Sequence, residues 1–437
     1  MRSFLSLWRI AVRNVLRNRR RTLITLAALV VGVGVMVSIR GVLNGMQTSL
    51  VDNVVEGQTG ALQVHHKGYL ANVLASPLTM DMPQAELEAK IRAVPGVRAV
   101  TARIQFGGMI ARGDETIFLF NQAIDPKTEF KVVPLRRQIL KDHGQFAAQP
   151  NADGTLPAAA PGIVADAMVV TSELSKALEG KAPADAAGAA GSAATDGKEP
   201  PAAILAPDRD GALSGENVTI VGTLEMTGPG ERKFGMLRLD VAQRLLKMED
   251  RVTEFAVAVD DVALIPSVQA ALQASLGDEY EVHNWEQIAL FVVDIRTRQN
   301  VILSLIASVF MLLMLLGVAN TMLMSVLDRT REIGTMMAVG VRRERIVGLF
   351  LIEAALIGAL GGCLGGAAGL SLTTLLSING IVIEMPGSSM PMVIYPFVTP
   401  GYMAGVIAIA AAGALLFAIY PAWRASRLRP VEALAGG

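Results

Sequence analysis

Four apolar runs, at residues 23–39, 301–326, 346–378 and 397–419, constrain this chain more than any other feature. A span of roughly 20 apolar residues matches the hydrocarbon core of a bilayer, which is about 30 Å thick. Lipid offers the backbone no hydrogen-bond partner, so each run is expected as a transmembrane helix. The first run is short for a span, but its helical pattern continues past Arg40. Composition points the same way. Of the 437 residues 52% are hydrophobic and only 18% charged, and the mean hydropathy is +0.44. Hydropathy that positive excludes a wholly soluble enzyme and calls for spans beside at least one water-soluble domain.

Basic and acidic residues balance at 39 each, yet the arginines are segregated. Arg2, Arg9, Arg13, Arg17, Arg19, Arg20 and Arg21 precede the first run. Arg329, Arg331, Arg342, Arg343 and Arg345 separate the second from the third, and Arg424, Arg427 and Arg429 follow the fourth. The loop at 379–396 holds no Lys or Arg. With four spans all three clusters fall on one side, which the positive-inside rule makes cytoplasmic. Both termini are therefore expected inside, and the long segment between spans one and two outside. A cleaved signal peptide is the alternative for the N-terminus; the length of the run, its helical continuation and the lack of a small-x-small site argue against it. Basic charge gathered at membrane boundaries is not the footprint of a nucleic-acid binder. Cys363 is the single cysteine, so neither an intrachain disulfide nor a cysteine metal cluster can form.

The expected organisation follows in chain order. Residues 1–20 read as an amphipathic helix on the cytoplasmic leaflet, with Phe4, Trp8, Ala11 and Val15 opposite Arg9, Arg13 and Arg17. Residues 21–51 form the first span and a stalk, since Val42, Met46, Leu50 and Val54 carry an apolar stripe onward. Residues 52–284 mix strand-like stretches (61–65, 97–104, 116–120, 218–224, 254–259) with helix-like ones (84–93, 240–248, 266–276), which predicts an α+β domain. Within it, residues 182–203 are Ala/Gly/Pro-rich, cannot bury a core and are expected to be disordered. Residues 285–327 are a second stalk and span: 285–316 has neither Gly nor Pro, and one helix through 326 would be about 60 Å long. The alternative is that both stalk helices break at the membrane surface. A cytoplasmic segment (328–345), the third span (346–378), an outer loop (379–396), the fourth span (397–419) and a cytoplasmic tail (420–437) complete the chain.

The cytoplasmic segment reads as a short amphipathic helix, with Ile333, Met336, Met337 and Val339 apolar among charges and Gly340 to end it. Exposed methionine there suits a docking surface. Glu353, about two turns into the third span, is a costly intramembrane charge; it is read as pairing with a loop arginine such as Arg345, and a proton relay is the alternative. Gly358, Gly362 and Gly366, with Gly361, Gly365 and Gly369, form two small-residue lines that let helices pack closely, within one subunit or across a dimer. His65 and His66 alternate on a strand and cannot chelate together, His143 and His283 look isolated, and no metal site is expected. Gly180-Lys181 and Gly197-Lys198 are not followed by Ser or Thr, so no phosphate-cradling loop is present.

Two motifs resemble a known family. Arg331-Glu332-Ile333-Gly334 with Ala338-Val339-Gly340, and the stretch from Pro421-Ala422-Trp423-Arg424 through Pro430-Val431-Glu432-Ala433-Leu434, are similar to those of the FtsX-like permeases, also called MacB-type or type VII ABC transporters. Gly60-Ala61-Leu62-Gln63-Val64-His65 and the opening Trp8–Thr22 stretch resemble the lipoprotein-releasing LolC/LolE-type branch. The resemblance implies four helices in a 1+3 arrangement around a MacB-type periplasmic core, in a bacterial inner membrane. It implies a non-enzymatic permease subunit without its own cofactor, ATP and Mg being bound by a LolD- or MacB-like ATPase partner docked at 330–339. Arg329, Arg331, Glu332, Ile333, Gly334, Met337, Gly340 and Arg342 would serve that coupling. Further implied partners are a second permease subunit, homomeric or related, an acylated lipoprotein, a periplasmic carrier and membrane lipids. Val30, Val33, Val37, Met311 and Leu315 would line a lateral opening for acyl chains. The alternatives within the family are FtsX-like force transmission to a cell-wall hydrolase and MacB-like efflux or secretion of a periplasmic substrate.

Overall fold

The computed structural model describes residues 19–75, 78–113, 115–148, 163–179, 202–224, 233–383 and 392–427. Residues 1–18 of the helix expected over 1–20, residues 182–201 of the insert expected over 182–203, and the tail beyond Arg427 lie outside the described residues.

Helix α1 (Arg19–Val54) continues into one π-helical turn (Val55–Thr59). There follow β1 (Leu62–His66), β2 (Met82–Pro83), α2 (Gln84–Arg92), β3 (Val97–Arg112), β4 (Glu115–Ile124), α3 (Pro126–Val132), β5 (Leu140–Lys141), β6 (Ala167–Thr171) and α4 (Ser172–Glu179). The domain goes on through β7 (Ala202–Pro207), β8 (Leu213–Leu224), β9 (Phe234–Arg238), α5 (Leu239–Leu245), β10 (Arg251–Val252), β11 (Glu254–Val259), α6 (Ile265–Leu276), β12 (Tyr280–Asn284) and α7 (Trp285–Ile288). The remainder is α8 (Leu290–Asp328), α9 (Thr330–Ala338), α10 (Arg343–Asn379), β13 (Ile381–Ile383), β14 (Met392–Ile394) and α11 (Pro400–Ser426). The described residues fall into two compact units. One holds those up to Ser49, Asp294–Ile383 and those from Val393; the other holds Leu50–Val293 and Met392.

Four helices, α1, α8, α10 and α11, are long and apolar enough to cross a membrane. Within this unit the two glycine rows of α10 serve two different neighbours. A Cβ on Gly358 would lie 2.7 Å from Ala410 O, and one on Gly362 3.2 Å from the Cα of Ile407, both on α11. A Cβ on Gly365 would lie 2.8 Å from Val33 Cβ, and one on Gly369 2.6 Å from Gly34 O, both on α1. Gly366 faces Met403 of α11 and Gly361 faces Leu29 of α1. Both rows are therefore used inside the chain, which gains van der Waals contact where lipid supplies no hydrophobic driving force.

The second unit is an α+β domain. Its main sheet runs β12-β1-β11-β3-β4-β9-β6-β8-β5, with β7 bridging β3 and β8. The strands β3-β4-β9-β6-β8-β7 thus close on themselves, which removes exposed edges from that half. Pairing is antiparallel except β4–β9 and β6–β8. Phe106, Leu62, Ile104 and Phe255 are fully buried on the core side, with Leu87 and Ile91 of α2 and Leu272 of α6 packed in the same cluster. Each such side chain contributes about 1.5–3 kcal/mol by leaving water.

Three expectations are corrected here. The helix expected to run unbroken from Trp285 ends at Ile288: Asn284 and Gln287 close a capping box, and Ala289 departs from helical geometry at ψ 53°. Buried Trp285 belongs to the domain core, so packing rather than propensity sets this break. Ala202 and Ala203, assigned by composition to the disordered insert, open β7, where pairing to β8 and β3 overrides alanine's weak strand preference. β3 and β4 also run far beyond 97–104 and 116–120, because they pair in register over ten positions, from Arg103↔Ile124 to Arg112↔Glu115.

Candidate functional site

The turn between α8 and α9 is built by local capping. Thr330 Oγ1 donates to Leu327 O at 2.7 Å, closing the end of α8, and Gly340, at φ +92°, ends the segment after α9. Ile333 is buried with Val326, Ile346, Phe350, Ala422 and Ala425, and Met336 and Met337 pack half-buried against that cluster. The exposed side of the segment is Arg331, Glu332, Thr335, Ala338 and Val339, followed by Gly340, Arg342 and Arg343.

That arrangement divides the residues expected to couple to an ATPase. Arg331, Glu332, Gly340 and Arg342 face outward. Ile333 and Gly334 are buried, and Met337 is half-buried, so the expected exposed methionine surface is corrected: helical spacing puts the methionines on the packing stripe. Arg329 is also turned inward. Its Nη1 stands 3.6 Å from Glu353 Oε2, and its Nε 3.4 Å from Glu332 Oε2. Glu353 is thus paired with Arg329 and not with Arg345, which is exposed.

The expected acyl-chain lining is not gathered on an opening. Val33 and Val37 are fully buried with Val406 and Ala410. Leu315 is buried beside Gly413, and Val30 backs onto Gly365 through its main chain. Met311 is half-buried in the same packing. Apolar side chains left exposed in this unit include Val31 and Val35 on α1 and Val309, Leu312, Leu313 and Leu316 on α8. The four-helix contacts consume the small-residue faces first, which single-helix periodicity cannot reveal.

A second constellation, unread in the sequence, lies in the α+β domain. Arg103 on β3 is completely buried and binds Glu129 of α3 through Nε and Nη2 (3.0 and 2.8 Å) and Glu254 of β11 through Nη1 (2.8 Å). Arg136 binds Glu129 at 2.8 Å and also Gln122, and reaches the carbonyls of Gly57 and Gln58 at the end of the π-helical turn. His65 Nε2 stands 3.7 Å from Glu254, its ring stacked on Tyr69 at 4.9 Å. Burial alone would raise the Glu254 carboxyl, but His65 and Arg103 overcome it and hold it at about 2. Burial pushes the Tyr69 hydroxyl up to about 12. A cavity of about 300 Å³ adjoins these groups, lined also by Gln63, Gln105 and Gln122.

His283 is not isolated, as its spacing suggested: β12 pairs it with Gln63, and its ring centre lies 5.8 Å from that of His65. Among the described residues no group of three His, Cys, Asp or Glu can hold a metal ion. The carboxylates here are committed to guanidinium groups, so the cluster clamps strands, α3 and the π-helical turn together. One signal of it was legible, an arginine inside the apolar alternation Val100, Ala102, Ile104, Phe106, but its partners are remote in sequence.

Residues 22–275 match the MacB-like periplasmic core domain family, and residues 304–430 match the FtsX-like permease C-terminal family. The chain is 30% identical over 241 residues to the macrolide export ATP-binding/permease protein MacB of Nitrobacter winogradskyi, covering 51% of this chain and 36% of that protein. It is 27% identical over 449 residues to the protein of the same name in Hyphomonas neptunium, covering 98% of this chain and 60% of that one. The chain therefore spans from about a third to three fifths of the length of these relatives. The periplasmic region of MacB from Actinobacillus actinomycetemcomitans has a TM-score of 0.33 at 10% identity, over 55% of this chain and 94% of that one, too slight a likeness to build on. The two family matches cover both units in sequence, and the chain belongs to the FtsX/MacB-type permeases, with a MacB-like periplasmic core domain and an FtsX-like C-terminal region.

Proposed function

We propose that this chain is the transmembrane subunit of an ABC transporter and passes the work of a separate ATPase to the outer face of a bacterial inner membrane. The supporting observation is the α9 segment. It offers Arg331, Glu332, Thr335 and Arg342 to a partner, while its other face is packed onto α10 and α11 and Arg329, just before it, is ion-paired to Glu353. A push on α9 would be delivered to the spans rather than absorbed by a loose loop. ATP and Mg belong to the ATPase. The termini are cytoplasmic and the α+β domain periplasmic, in line with the arginine clusters. A second permease subunit, identical or related, would cover the apolar side of α8.

The substrate we favour is an acylated lipoprotein, extracted from the membrane and passed to a periplasmic carrier, on the resemblance of the opening and Gly60–His65 stretches to that branch. A second reading, export of a macrolide-like compound, is favoured by the names of the MacB relatives. Purification with a hydrolysis-disabled ATPase, followed by mass spectrometry, separates the two. A bound acylated polypeptide that leaves when active ATPase and ATP are supplied supports lipoprotein release. A small molecule alone supports export, and a bound wall hydrolase without either would replace both. Charge reversal at Arg331 and Glu332 is expected to abolish ATPase recruitment while leaving insertion intact; retained recruitment would sink the coupling role of α9.

A further inference from the structure

Arg40 is the one charged side chain between Thr22 and Val51. Its Nη1 donates to Asn300 Oδ1 at 3.1 Å, and its guanidinium lies 5.8 Å above the centre of the Tyr402 ring. Among the described residues these are its only partners, and neither is an anion. Asn300 Oδ1 is shared besides, since Gln47 Nε2 donates to it at 3.2 Å. Most of the fork of N–H donors on Arg40 is thus left without an acceptor among the described residues.

Its depth is set by its neighbours. The carbonyl of Gly41 accepts from Phe397 N at 3.2 Å, and Asn44 Nδ2 donates to Phe397 O at 3.1 Å, just before α11 begins at Pro400. Arg40 therefore stands where the apolar run 23–39 of α1 ends, which for a helix spanning a bilayer is the level of lipid headgroups. Arg296, exposed, lies one turn from Asn300 along α8 on the same face, while Arg298 is paired to Asp294 at 2.9 Å.

We infer that Arg40, walled by Tyr402 and Asn300, is a binding site for the phosphate group of a membrane phospholipid. A guanidinium matches a phosphate in a two-pronged geometry, and every phospholipid presents one at this depth. Burying an arginine at a membrane boundary without an anion is costly, and a headgroup supplies the missing charge. The site depends only on these helices spanning a bilayer, so its failure would say nothing about ATPase coupling, and the converse also holds.

The test uses the full chain without any ATPase, reconstituted in discs of phosphatidylethanolamine and phosphatidylglycerol, with lipid retention read by native mass spectrometry. Arg40→Gln is expected to lower retention about tenfold, the worth of a charge-assisted hydrogen bond. Arg298→Gln, whose charge is already paired to Asp294, is expected to leave it unchanged. Unchanged retention in Arg40→Gln overturns the site, as does an equal loss in Arg298→Gln, which would make the effect one of general surface charge. Excess inorganic phosphate is expected not to displace the lipid; full displacement would assign the site to a soluble anion instead. Should Arg40→Gln fail to insert, Arg40→Lys carries the test. It keeps the charge but loses the fork, and retention should fall about threefold, no change counting against the site.

Discussion

The Arg329 guanidinium stands 3.6 Å from the Glu353 carboxylate, and each side chain is less than a tenth exposed. This ion pair joins the turn that starts α9 to the second turn of buried residues in α10. Removing Arg329 leaves the Glu353 charge buried alone, at about 3–5 kcal/mol, whereas Arg329 without Glu353 would still meet Glu332; replacing both members of the buried pair by apolar groups can be neutral. Arg329→Met is therefore expected to lower the thermal midpoint of the purified protein markedly. The double variant Arg329→Met with Glu353→Leu should recover most of the loss. Additive losses in the double variant would show that the pair is not the source of the stability.

The glycine rows of α10 supply a matched comparison. Gly365→Ala places a Cβ 2.8 Å from Val33 Cβ and 2.9 Å from the carbonyl of Val30, so α1 must shift, at about 1–3 kcal/mol. Gly348→Ala, on the same helix, meets nothing within 4 Å and gains up to about 1 kcal/mol of helix propensity. Thermal melts of the two variants should move in opposite directions.

Glu254 makes the domain acid-sensitive in a defined window. Its carboxyl is held at about 2 in the folded protein, below the ordinary glutamate value of about 4.3. A lowered folded value means that the stabilisation is fully present above the unfolded value and is lost as pH falls toward the folded one. Stability followed by fluorescence of buried Trp285, in a background with the other two tryptophans replaced, should therefore decline between about pH 4.3 and pH 2. Glu254→Gln should start less stable and lose this acid-dependent component; an unchanged acid slope would exclude Glu254 as its source.

Gly340 sits at φ +92°, a region L-residues avoid. Gly340→Val, β-branched, should strain the end of α9 by about 1–2 kcal/mol or more. Nothing lies near its Cβ position, so the cost is conformational and not steric. The expected outcome is weaker stimulation of a bound ATPase with unchanged membrane insertion. A variant with normal stimulation would show that the α9 to α10 geometry is not transmitted.

What the amino-acid sequence determined by itself is the part governed by local pattern. Apolar length set the four spans, and short motifs around Arg331–Gly334 and Pro421–Arg427 carried the family. Strand alternation found β1, β11 and parts of β3, β4 and β8. Tertiary structure alone decided what each side chain meets. Arg329 rather than Arg345 reached Glu353, because the fold of α9 onto α10 turned one arginine inward and left the other in water. Val33 and Val37 went to helix packing, because the Gly365 and Gly369 row of α10 brought two backbones together there. His283 came beside His65, and Glu254 to Arg103, because β-pairing joins segments more than a hundred residues apart, while Glu129 reached Arg103 by the packing of α3 on the sheet. Periodicity reports which face of an element is apolar; which neighbour covers that face depends on contacts between remote segments, and those carry no local signal.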